Sequence, residues 1–180
     1  IERLRRDLQT LQTTRKWDGL NSEYRALCEV FDQLPPFFMD TENGCEACSY
    51  EQLALTEFDE TFDLSPRGQK SGTFWDKTSP HRNPRADERF YRKMTEGLPS
   101  YLQEVLNFFT PFAHRTRFAR IAPGHSVKPH IDYDTRYSVR LHIPIVTHPS
   151  CMLGVQYSDG RREEQHLPAD GSVYFVNQGL

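Results

Sequence analysis

The sequence predicts an α+β domain in which helices from the first half buttress one side of a β core built by the second half. Two observations carry this prediction. Apolar residues recur at helical spacing through much of residues 1–110, and from Thr116 onward the pattern changes to short runs of β-formers separated by turn residues. Helices first and strands later place the helices against a sheet-built core. Many short strands at near-regular spacing indicate a sandwich, barrel or jelly roll.

The elements follow in order. Ile1, Leu4, Leu8 and Leu11 recur at helical spacing with Arg, Asp and Gln between them. Leu20, Tyr24, Leu27, Phe31 and Leu34 make a second stripe, ended by Pro35-Pro36, because proline lacks an amide donor and disfavours helix in the residue before it. Residues 37–85 are mixed and polar, with short strands expected around Leu53–Leu55 and Phe58–Leu64. Helical pattern returns from Ala86 to about Phe109, split in two by Gly97 and Pro99. Strands are then expected at Thr116–Ala122, Ser126–Ile131, Ser138–Val146, Cys151–Tyr157, Arg161–Leu167 and Ser172–Val176. Ser158-Asp159-Gly160 is the clearest hairpin signal among the turns between them. This divides the chain into a helical and loop region, 1–110, packing on a β core, 111–180.

With 180 residues the chain is long enough for one domain with a real core. It begins at Ile1 rather than Met, which reads as a fragment or a processed product. A net charge of −3 argues against a general nucleic-acid surface. No stretch approaches the roughly 18 apolar residues of a membrane span, and no signal peptide is visible. The expectation is a cytoplasmic protein acting on a small molecule, without nucleic acid or membrane as partner, its oligomeric state left open. Cys45 and Cys48 form a Cys-x-x-Cys pair with no further ligands at zinc spacing, and read as ordinary thiols in a loop.

The chemistry concentrates in residues 123–146. His130 and Asp132 form a His-x-Asp pair, and on a strand positions i and i+2 point to the same face. An imidazole and a carboxylate converging beside open positions suit Fe(II) in an oxygenase site, where a facial triad requires a second His. Arg140 and His142 share a face of the next strand by the same argument, and Leu141, Ile143, Ile145 and Val146 around them are expected to face a core. A buried Arg needs an anionic partner. A small dicarboxylate ligand supplies that charge; an internal acid such as Asp134 or Glu163 supplies it equally.

The joint pattern is more specific than any of its parts. Arg120-Ile121-Ala122-Pro123-Gly124, the His130/Asp132 pair, Arg140-Leu141-His142-Ile143-Pro144-Ile145, the turn Thr147-His148-Pro149 and the Gly-led run from Gly171 to Asn177 together resemble the aspartyl/asparaginyl β-hydroxylase superfamily of Fe(II)- and 2-oxoglutarate-dependent oxygenases. That superfamily includes small hydroxylases of free amino acids such as the proline cis-4-hydroxylases. The resemblance is strong over residues 116–180 and extends weakly to Leu98-Pro99-Ser100-Tyr101-Leu102. It implies a double-stranded β-helix, a cupin-like jelly roll whose mouth holds the iron. It implies His130 and Asp132 as iron ligands, and Arg140 and His142 as residues holding 2-oxoglutarate. It implies hydroxylation of an unactivated C–H of an amino acid or aminoacyl residue, with release of succinate and CO2. The second metal His and the basic anchor of the distal carboxylate are expected beyond Leu180.

The other histidines have bland readings. His166 lies one strand too early for the distal ligand, His148 and His125 sit in turns, and His81 and His114 have no supporting context. Phe74, Trp75 and the polar stretch Lys77–Arg85 form either a lid over the mouth or a plain surface loop. The competing function is a non-catalytic jelly-roll module that binds a small anion or a protein partner without iron.

Overall fold

A computed structural model describes residues 1–19, 50–61, 88–127 and 139–176. Within them, helices α1 (Glu2–Thr14) and α2 (Ser100–Phe109) accompany small antiparallel sheets, a mixed α and β architecture. Strands β1 (Asp18–Gly19), β2 (Tyr50–Ala54) and β5 (Arg117–Ile121) form a three-stranded sheet in the order β1-β2-β5. Three two-stranded ribbons complete the set: β3 (Thr56–Phe58) with β4 (Tyr91–Met94), β6 (Arg140–His142) with β9 (Tyr174–Val176), and β7 (Met152–Gln156) with β8 (Arg162–His166). Among the described residues no helix is long and apolar enough to cross a membrane.

The core lies where the two helices meet the three-stranded sheet. Leu4 and Leu11 from α1 pack with Leu98, Leu102 and Leu106 in and before α2, with Leu53 and Leu55 in and after β2, and with Phe118 on β5. Leu53 and Phe118 stand directly opposite in the β2–β5 register, so the sheet presents one apolar pair to both helices. Spacings of three and four keep each helix's leucines on one face. The helices are also joined by a polar contact. Pro99 at the N-cap of α2 has no side chain to receive the exposed amides, and Asp7 of α1 accepts the Leu102 N–H at 2.9 Å instead. A carboxylate at that end also complements the helix dipole. Arg5 Nε donates to the Ile145 carbonyl at 2.9 Å, tying α1 to the segment after β6.

Several expectations are corrected. The helical pattern of Ala86–Met94 yields a short 3-10 turn at Glu88–Phe90 and then strand β4, so the helix starts only at Ser100. Pairing with β3 overrides the local spacing, and the aromatics seal it: Phe58 stacks on Phe90 and meets Tyr91 edge-on, with ring centroids 5.4 and 5.8 Å apart. Among the described residues, the strand expected over Ser138–Val146 is confined to Arg140–His142, since Pro144 cannot donate to a ladder. Ile143 and Ile145 do pack on the core, whereas Leu141 and Val146 are 49% and 76% exposed, contrary to the expectation that all four face inward. The strand expected at Ser172–Val176 starts only at Tyr174, and Ser126 and Val127 belong to no strand. The hairpin at Ser158-Asp159-Gly160 forms as read: Gly160 takes φ of 85°, the left-handed conformation glycine tolerates, and Tyr157 N–H donates to the Arg161 carbonyl at 2.8 Å. The second apolar stripe, Cys45 and Cys48, and the segment from Phe74 to Arg85 lie outside the described residues.

Candidate functional site

Ribbon β6–β9 sorts its side chains by parity. Arg140, His142 and their partners Val176 and Tyr174 lie at alternate positions and are buried or half-buried. Leu141 and its partner Phe175 occupy the opposite face and are exposed. The inward face thus carries Arg140 and His142 beside Val176 and Tyr174, while the outward face carries Leu141 and Phe175. The Nε2 atom of His142 is shielded from solvent.

Arg140 is half-buried, and Glu88 stands beside it with its Oε1 3.8 Å from Arg140 Nη2. The same Oε1 accepts from Arg115 Nη1 at 3.1 Å and lies 3.5 Å from Arg117 Nη1. Three guanidiniums from two regions of chain therefore meet at one carboxylate. The side chains are 15–24% exposed, so water screens these charges only in part. Around them, the Arg115 guanidinium lies 5.4 Å from the Tyr91 ring centroid, and Arg92 Nε donates to His114 Nδ1 at 3.2 Å. That bond gives His114, which had no sequence context, a defined neighbour. Such a cluster is chemically suited to hold a carboxylate or other small anion.

The two acids named from sequence as internal partners for Arg140 fare differently. Glu163 sits on the β7–β8 hairpin, where it pairs with Arg161 at 2.5 Å and accepts from the Tyr157 hydroxyl at 3.1 Å; this contact pushes the Tyr157 phenol above its ordinary pKa. Asp134 lies outside the described residues, as do His130 and Asp132. Among the described residues no group of three His, Cys, Asp or Glu side chains is placed to hold a metal. His166 Nδ1 meets the Cys151 carbonyl at 3.0 Å, His148 Nδ1 meets Ser150 Oγ at 2.7 Å, and His125 Nδ1 meets the Pro123 carbonyl at 3.1 Å. Each of these is a local hairpin or turn contact.

Glu88, Arg115 and Arg117 were not singled out from sequence. Arg115 and Arg117 carried a signal, the same period-two spacing that paired Arg140 with His142, set at the start of a predicted strand. Glu88 carried none, because its role depends on packing between segments far apart in the chain.

A family model described as Aspartyl/Asparaginyl beta-hydroxylase covers residues 14–170, while no curated protein and no solved structure matches the chain. That match takes in residues well before the motif region, from the end of α1 through α2 to β8, and the chain belongs to the aspartyl/asparaginyl β-hydroxylase family.

Proposed function

We propose that the protein is an Fe(II)- and 2-oxoglutarate-dependent dioxygenase that hydroxylates an unactivated C–H of an amino acid or aminoacyl residue. Membership of a hydroxylase family supports an enzyme. The observation that carries the cosubstrate is the half-buried face of β6 that Arg140 and His142 share, with Arg140 beside the Arg115, Arg117 and Glu88 cluster. Its donors suit a dicarboxylate: a guanidinium offers a planar fork to one carboxylate, and an imidazole a directional contact beside it. In this reading a double-stranded β-helix is built around residues 111–180, with residues 1–110 packing on it and β2 joining its sheet through β5.

His130 and Asp132 would hold the metal, which when bound supplies the oxidising chemistry that couples release of succinate and CO2 to C–H hydroxylation. Arg140 and His142 bind and orient the cosubstrate. Burial of their face keeps water from competing for those contacts. The reading is tested by succinate formation from 2-oxoglutarate with a panel of free amino acids and short peptides, together with iron content after reconstitution. Substrate-dependent succinate is expected from the full-length protein, and His130→Ala in it should lose both iron and turnover. Tight anion binding with no metal and no succinate would instead establish a non-catalytic module.

A further inference from the structure

We propose that Glu88 is a positioning residue for Arg140, setting where that guanidinium stands to meet the carboxylate of 2-oxoglutarate; this rests on the functional reading above. The geometry is asymmetric. Arg115, just before β5, hydrogen-bonds Glu88 Oε1 at 3.1 Å, and Arg117, on β5, stands at 3.5 Å. Both belong to the segment that enters the three-stranded sheet, so the carboxylate is anchored to the most deeply packed part of the fold. Arg140 comes from β6, a strand of three residues in a two-stranded ribbon. Its separation from Glu88, 3.8 Å, is too long for a hydrogen bond.

Glu88 therefore restrains Arg140 through charge, without drawing on its N–H groups by direct hydrogen bonding. An arginine has a long flexible stem and a rigid five-donor fork, and a carboxylate beside the fork narrows the orientations the stem can adopt. Partial burial keeps the attraction strong enough to act at this distance. Glu88 touches neither substrate nor metal in this scheme; it acts through Arg140.

The test uses the full protein with Mn(II) in place of Fe(II), so that no turnover occurs, and titrates 2-oxoglutarate calorimetrically. Glu88→Gln keeps the shape of the side chain and removes its charge. It should weaken 2-oxoglutarate binding roughly tenfold, the scale typical of residues that orient a binding group. Glu88→Asp should fall between it and the wild type. In an Arg140→Met background the Glu88→Gln change should have no further effect, because the residue it acts through is gone. In the Fe(II) enzyme the loss should appear in KM for 2-oxoglutarate and leave kcat within about twofold.

Unchanged affinity in Glu88→Gln, or an equal loss with and without Arg140, would overturn the proposal. If Glu88→Gln does not fold, Glu88→Asp carries the same comparison in both backgrounds. A wild type that fails to bind 2-oxoglutarate would overturn the functional reading and this inference together. Wild-type binding that Arg140→Met abolishes and Glu88→Gln leaves intact would overturn this inference alone.

Discussion

Arg140 illustrates how little of a charged residue's role is local. Its half-burial demands an anion, and the structure answers with Glu88, a residue 52 positions earlier. A protein acid and a ligand acid are compatible answers, since one guanidinium can meet both on different edges. Simpler carboxylates behave as local geometry dictates. Asp170 accepts the Ser172 N–H at 2.8 Å, and this bond holds its carboxyl below the ordinary value. Asp59 is lowered similarly by the Thr61 hydroxyl and N–H. A depressed carboxyl stabilises the fold above its unfolded pKa, and the contribution is lost as pH falls through the lower folded value. In a pH titration followed by NMR, both carboxyls should titrate below those of unfolded-chain Asp. Asp170→Asn should abolish the acid-side change reported by the Ser172 amide.

Elements divide by whether their determinants are near in sequence. Both helices were legible because their leucines recur on one face, and the β7–β8 hairpin because Asp159-Gly160 specifies its turn. Strand β4 was not. Phe90 and Met94 have a helical spacing, but the partner that decides the outcome, β3, is more than 30 residues away. Strand β6 was legible in its parity and misjudged in its length, through the amide that Pro144 lacks. Packing sets the expected cost of mutation. Leu102→Ala, at 2% exposure, should lose about 3 kcal/mol in urea unfolding. Leu141→Ala, on the exposed face of β6, should stay within about 0.5 kcal/mol. Asp7→Ala should cost about 1 kcal/mol by uncapping α2 from outside the helix.

Across the whole molecule, stability is concentrated and chemistry is displaced from it. The buried leucines and Phe118 join α1, α2 and the β2–β5 pair. The β7–β8 hairpin lies at the other extreme, with mostly exposed side chains on both strands. Hydrogen exchange should be slowest in β2 and β5 and fastest among strands in β7 and β8. Equal protection across both would show that the hairpin is held by more than its own ladder. The candidate site lies between these extremes, on half-buried strands beside the core. The shared half-buried face of Arg140 and His142 was readable, because it follows from strand parity alone. The Arg115, Arg117 and Glu88 cluster needed the three-dimensional meeting of β5, β6 and the turn at residue 88.

The contacts of α1 also impose an order of events during synthesis. Its first residues leave the ribosome before the Leu98–Leu106 face, and Arg5 must wait for Ile145. At translation speeds of about 5–20 residues per second, that interval is on the order of ten seconds. Until residues 98–118 have emerged, the apolar stripe of Ile1, Leu4, Leu8 and Leu11 lacks the α2 leucines and Phe118 that complete its native cover. The nascent chain therefore exposes a sticky amphipathic helix, and a holdase that shields residues 1–14 until α2 emerges should raise the yield of folded protein.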